Sequence, residues 1–254
     1  MTLETLIMTQ LYAFLLIFSR VGAAFMTLPG FSDSTVSPQI RLLIALSFSL
    51  VLTPVLYTAL PEQPATVFAL AFLIVKEMLI GIFIGSLVQI MMSALAFAGF
   101  MIATAMSMSN AFIFSPTMST SNTVIGSFMM LLGVTLFFTM DLHHEVLLGV
   151  MDSYTLLPPG DTLFVGDMAQ HIANVIGQSL MLGLRIASPF LVIIIGLLFA
   201  MGLMARIVPQ IQVFIISVPV QMLVGTMTLM GVLSAMMLYF MGELDLFLKN
   251  FLVN

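Results

Sequence analysis

A chain of 254 residues that is 61% hydrophobic and only 7% charged cannot cover a surface facing water, because soluble domains are about a quarter charged. Its net charge of −5 comes from 11 acidic against 6 basic residues, which leaves no basic patch for nucleic acid. The cysteine count of 0 excludes disulfides, thiol catalysis and cysteine-ligated metals, while a mean hydropathy of +1.22 marks a polytopic integral membrane protein.

The first apolar segment runs from Thr2 to Met26 and carries Arg20 near its end. It has no basic leader and continues past the length of a signal-peptide core, so it reads as a retained membrane segment. Leu28 to Pro38, LPGFSDSTVSP, is a turn by its Pro-Gly pair and its Ser/Asp/Thr cluster. Arg41 opens a second apolar helix that reaches Tyr57, and Pro61 to Pro64 breaks it.

Ala65 to Ala105 follows without a proline. As one helix it would be about 60 Å long, twice the hydrocarbon core, so it must bend back, tilt strongly or extend beyond the membrane within an assembly. Lys76 and Glu77 lie inside this segment. Ionisable groups at membrane depth are costly and mark function or pairing. Neighbouring residues on a helix point about 100° apart, so each is expected to meet a partner on another helix or another chain. Below Glu77 an i+4 ridge of Gly81, Gly85, Gln89 and Ser93 contains a small-xxx-small pattern. The ridge reads as a glycine-relieved packing face or, alternatively, as part of an ion relay.

Thr104 to Thr123 holds eleven Ser, Thr or Asn residues in twenty and no charge. Met106, Met108, Phe112, Ile113, Phe114 and Met118 give it a hydrophobic knob. It is either an ordinary surface loop or a flexible plug in a pore, since polar backbone at membrane depth must be buried in protein or line a cavity.

Val124 to Met140 is apolar again, followed by DLHHE, Asp141 to Glu145. Adjacent His143 and His144 cannot easily ligate one ion from a helix, so the motif reads as an interfacial helix end and no metal is expected. From Asp141 to Asp167 there are five acids and no lysine or arginine, which favours an outside location. Met168 to Ala187 is an apolar helix with Gln170, Asn174, Gln178 and Arg185 on a polar face. Pro189 to Ala205 is expected to be a separate helix. In Met204 to Val220, MARIVPQIQVFIISVPV, Pro209 ends a helix and Arg206, Gln210 and Gln212 can bond the freed carbonyls. This describes a polar hairpin tip, with Pro189 and Pro219 kinking its arms, before a last helix from Phe214 to Phe240.

The 24 methionines serve as apolar filler or as adaptable contact surface. With no Trp and 4 Tyr, the aromatic belt is thin. No P-loop, HExxH, GxSxG or dinucleotide fingerprint occurs, so neither an enzyme nor a cofactor is expected. An ion-coupled transporter using Lys76, Glu77 and Arg185 is a rival reading, and it would call for two related halves.

Several stretches together resemble the FliR family of flagellar export proteins. They are SRVGAAFMTLPGFS, Pro38 to Arg41, KEMLIGIFIG, the Phe-Ser-Pro of the polar loop including Pro116, Asp141 to His143, and GLMARIVPQIQVF with Pro219. Ser115 and Leu142 depart from residues common in that family. The resemblance implies an all-α integral membrane fold of irregular topology, with a FliP-like part at 1–187 and a FliQ-like kinked hairpin at 188–254. It implies assembly with FliP-like and FliQ-like subunits into a helical export gate in the bacterial inner membrane, at the flagellar basal body. FlhB, FlhA and membrane lipid are further implied partners, and unfolded rod, hook and filament subunits are the implied cargo. The loop at 106–122 would plug the closed channel. Lys76, Glu77, Gly81, Gly85, Arg206, Pro209, Gln210, Gln212, Phe214 and Pro219 would pack against neighbouring subunits. A virulence-type secretion system is the alternative setting.

Overall fold

The computed structural model describes residues 3–32, 36–108, 123–161, 165–207 and 213–253, and among these the regular structure is helical. Seven α-helices follow in chain order: α1 Leu3–Thr27, α2 Pro38–Leu56, α3 Val67–Ala105, α4 Val124–Thr139, α5 Leu142–Leu156, α6 Val165–Ile207 and α7 Val213–Val253. Five of them are long and apolar enough to cross a membrane, and α4 with α5 counts as a sixth span if taken together. The all-α membrane class follows.

Helix boundaries have local causes. Ser37 accepts from the Ile40 amide at 3.4 Å and Pro38 occupies the first turn of α2, where its missing N–H costs nothing. Thr66 receives the Ala69 amide at 3.3 Å ahead of α3. After α5, the Pro158–Gly160 turn closes with Asp161 N donating to Pro158 O at 3.2 Å, and Gly160 takes a φ of 95° that only glycine adopts without strain. Along the apolar helices, hydroxyls donate back to their own helix: Ser49 to Ala45 O at 2.6 Å, Thr135 to Leu131 O at 2.8 Å, Thr226 to Met222 O at 2.7 Å. These bonds remove the penalty of an unpaired hydroxyl in lipid.

Two outcomes differ from, or decide, what the sequence left open. α3 is one unbroken helix of 39 residues and does not fold back. The separate helices expected before and after Pro189 are one helix, α6, of 43 residues with the proline inside it. Proline deprives the Arg185 carbonyl of its amide partner, and the Ser188 hydroxyl supplies a replacement at 2.7 Å. The residue before the proline therefore repairs what the proline removes.

The helices form two compact units, residues 1–91, 140–175 and 246–254 in one, 92–139 and 176–245 in the other. In the first, α1 lies on α3 along the glycine ridge. A Cβ on Gly81 would overlap the Arg20 carbonyl, and one on Gly85 would approach Ala24 O to 2.8 Å. Tyr12, Leu16 and Leu73 form a buried cluster beside these contacts, flanked by Leu60, Leu70 and Ile74. In the second unit, Gly99 on α3 faces Gly126 on α4 so closely that a methyl on Gly99 would meet the Gly126 backbone. Ser179, Leu182, Gly183, Ile186 and Phe190 mark the narrow buried face of α6 there. Gly183 lies where a Cβ would come within 2.8 Å of Ala94 O.

These approaches predict a sharp asymmetry between glycines. Gly81→Leu should force α1 from α3 and lower stability by about 1–3 kcal/mol, as overpacking does. Gly196 has nothing within 4 Å, so Gly196→Ala should leave the chain as stable as before or slightly more so. Thermal unfolding of the detergent-purified chain measures both, and equal melting of the two variants would reject the packing assignment.

Candidate functional site

Lys76 and Glu77 are each expected to meet a partner other than one another. Glu77 does so in a buried hub in the first unit, built on a residue that the sequence left as an end-of-helix arginine. Arg20 on α1 and Glu77 on α3 are both fully buried. Arg20 Nε donates to Glu77 Oε2 at 2.7 Å, one terminal nitrogen to Ser153 Oγ at 3.0 Å, and the other to the Leu157 carbonyl at 2.9 Å. The guanidinium carbon stands 4.0 Å from the centroid of the Tyr154 ring, a cation–π geometry worth about 2 kcal/mol when desolvated. Only arginine offers a planar fork that reaches a carboxylate, a hydroxyl and a carbonyl together. Three helix-derived elements meet at this one side chain. Oε1 of Glu77 and the Tyr154 hydroxyl are buried without a hydrogen-bond partner among the described residues.

Lys76 points elsewhere, as the 100° offset requires: Nζ donates to the Asp161 carbonyl at 3.1 Å and lies 5.1 Å from the Phe72 ring centroid. With Glu77 held by Arg20 and Gly81 and Gly85 packed on α1, all four residues have partners inside the chain. Arg185 is exposed on α6.

The other place where polarity gathers is the stem of the polar segment, in the second unit. α3 ends with Met106 N bonded to Ile102 O at 2.9 Å and Ser107 N to Thr104 O at 3.0 Å. Met106 is buried and Met108 half-buried. Ser107 adopts a left-handed φ of 58°, which costs about 1–2 kcal/mol for an L-residue. Its hydroxyl is hydrogen-bonded to Oε1 of Gln221 on α7. Met106 lies against Gly225, where any Cβ would overlap its side chain. The far stem is Thr123, which is buried and accepts the Gly126 amide at 3.0 Å to cap α4. Gln221 and Gly225 were missed in the sequence, although Ser217, Gln221 and Gly225 form a polar and small ridge at helical spacing on an apolar helix.

The remaining predicted residues divide simply. Phe112, Phe114, Pro116 and Met118 of the polar segment, and Pro209, Gln210 and Gln212 of the hairpin tip, lie outside the described residues. Arg206 is exposed in the last turn of α6, where the helix dipole favours a cation. Phe214 falls in the first turn of α7, and Pro219 is exposed within it. The donor atoms of Asp141, His143 and His144 come within 4.8 Å of one another, contrary to the divergence expected of neighbouring histidines. The left-handed Asp141, φ 59°, starts α5 so that both imidazoles lean together with ring centroids 4.1 Å apart. Three donors fall short of a tetrahedral structural set, and the positive end of a helix opposes a cation.

The hub makes a quantitative prediction. Arg20→Ala strands a buried carboxylate and should destabilise the chain by about 3–5 kcal/mol, whereas Arg20→Lys keeps the charge and loses only the fork. Thermal unfolding in detergent should rank wild type above Lys above Ala. An Ala variant that melts with the wild type would remove the hub from its central place.

The comparisons with known proteins agree with this helical, membrane-embedded architecture. A family model described as bacterial export proteins, family 1, matches residues 11–247. The chain is similar to the flagellar biosynthetic protein FliR of Caulobacter vibrioides, at 35% identity over 85% of this chain and 86% of that protein. It is 27% identical to the FliR of Escherichia coli over 92% of this chain and 89% of the relative. The FliR of Pectobacterium carotovorum matches at 27% over 84% and 80% respectively. With a match over nearly its whole length and relatives covered almost end to end, this chain belongs to the bacterial export proteins, family 1, together with the FliR proteins.

Proposed function

We propose that this chain is a non-enzymatic subunit of the flagellar type III export gate, seated in the bacterial inner membrane at the flagellar basal body. The observation that carries the reading is the family match across residues 11–247, with flagellar biosynthetic relatives along nearly the whole chain. The helices fit the location, because they expose many large apolar side chains and hydroxyls such as those of Ser49, Thr135 and Thr226 donate back to their own helix. Glu77, the central group of the rival transporter reading, is engaged by Arg20 at 2.7 Å and so is ill placed to carry a coupled ion.

In this reading, residues 1–187 form a FliP-like part and 188–254 a FliQ-like hairpin. The chain joins FliP-like and FliQ-like subunits, contacts FlhB and FlhA, and passes unfolded rod, hook and filament proteins. Residues 106–122 plug the closed channel, with Met106 and Met108 at the root of the plug. An uncharged polar segment tethered at Ser107 and Thr123 to one helical unit suits that task. Its stems fix where the segment sits, so that its middle can block a path. Arg206, Pro209, Gln210 and Gln212 form a tip that packs on neighbouring subunits, which would satisfy polar groups that lipid cannot.

Two experiments separate the parts of this proposal. Deleting Ser109 to Ser121 should make cells that assemble the gate leaky to small solutes, measured by uptake of an otherwise excluded dye; unchanged permeability rejects the plug. Arg206→Ala should lower the recovery of FliP-like and FliQ-like chains with the tagged protein by severalfold. Intact complexes at wild-type yield would instead leave Arg206 as a lipid-interface cation.

A further inference from the structure

We propose that Gln221 and Gly225 on α7 form a seat that holds the stem of the polar segment in the resting protein, and that export requires the stem to leave it. The inference rests on reading residues 106–122 as a plug, and it adds the element that holds the plug in position.

The seat has two parts, one turn apart on the same face of α7. Gly225 leaves a notch that the Met106 side chain fills; a Cβ there would meet Cε at 2.9 Å and Sδ at 3.0 Å, and would overlap Cγ. Met106 is 3% exposed in this position. Gln221, itself 5% exposed, bonds through Oε1 to the Ser107 hydroxyl. Lipid-facing positions need neither a notch nor an amide. A buried glutamine and a glycine aligned on the stem are a specific arrangement.

The contacts are of a kind that can be undone. An unbranched thioether withdraws from a notch by rotating its own bonds, without moving a backbone. The polar contact is a single bond between neutral side chains, whose net strength is small. Ser107 is held left-handed at φ 58°, so releasing the stem also relieves a backbone conformation that L-residues avoid. The other stem has the opposite character. Gly126 meets Gly99 backbone to backbone, and Thr123 caps α4 through the Gly126 amide. Separating that contact means moving whole helices. The asymmetry points to Thr123 as the fixed end and Ser107 as the end that lets go.

The absence of cysteine from the sequence makes the test clean. In cells assembling the complete gate, Ser107→Cys and Gln221→Cys are combined and bridged with a short bis-methanethiosulfonate cross-linker that reductant cleaves. The bridged protein should lose secretion of hook and filament subunits, and reductant should restore it in the same cells. A misfolding effect would not reverse in this way. Secretion that continues at the unbridged rate, or thiols that never bridge in the assembled gate, would overturn the seat. A second variant, Gly225→Val, should expel Met106 and raise dye leakage in resting cells. If the Ser109–Ser121 deletion leaks and Gly225→Val does not, the plug stands and the seat falls. If the deletion stays tight while bridging still blocks secretion, the plug reading falls and the seat remains as a moving part of the gate.

Discussion

A guanidinium buried among apolar helices is the constraint on which the first unit depends. Burying a charge without compensation costs several kcal/mol per ion, so Arg20 must carry its solvation with it. It does so with Glu77, Ser153 and the Leu157 carbonyl, while Tyr154 covers its face. Glu77 comes from α3, while Ser153, Tyr154 and Leu157 come from the end of α5, so two distant parts of the chain meet α1 at this one side chain. Apolar packing alone would allow α1 and α3 to slide over one another, because lipid tails are as apolar as leucine. A directional charge pair fixes their register, and Gly81 and Gly85 set how closely they approach.

The second unit shows a different device. Close backbone approach at Gly99–Gly126 and at Gly183 brings its helices together, and the contact between Ser107 and Gln221 joins uncharged side chains. The buried charge pair therefore belongs to the first unit, and the Ser107 stem in the second is held by uncharged contacts.

Much of the helical layout could be read from the sequence because its punctuation is unambiguous. Pro29–Gly30, Pro61 to Pro64 and Pro158 to Gly160 break apolar runs where the helices do end. The glycine ridge was readable for a related reason, since small residues at helical spacing inside a lipid-soluble helix have few other uses. Pairings between distant residues were not readable. Arg20 and Glu77 are 57 positions apart, and nothing local marks one as the partner of the other. Ser217, Gln221 and Gly225 show a face that wants a neighbour, but only the fold says that the neighbour is Met106 and Ser107. Pro189 misled for a reason visible afterwards. A proline was weighed by what it removes, and the hydroxyl just before it, which restores the bond, was not counted. The histidines of Asp141–His144 misled likewise, because a helical wheel spreads neighbours apart whereas a first turn entered from a left-handed residue need not.

The unbroken length of α3 has a consequence for the lipid itself. Its 39 residues measure about 58 Å, and even at a 40° tilt, the upper end of what spanning helices show, about 45 Å would lie along the membrane normal. The hydrocarbon layer supplies about 30 Å, and thickening it costs a fraction of a kcal/mol for every ångström of mismatch. Bilayer deformation cannot absorb an excess of that size around a single helix. Over part of its length α3 must therefore be covered by protein and not by lipid, and its buried residues show that this chain's own helices supply some of that cover.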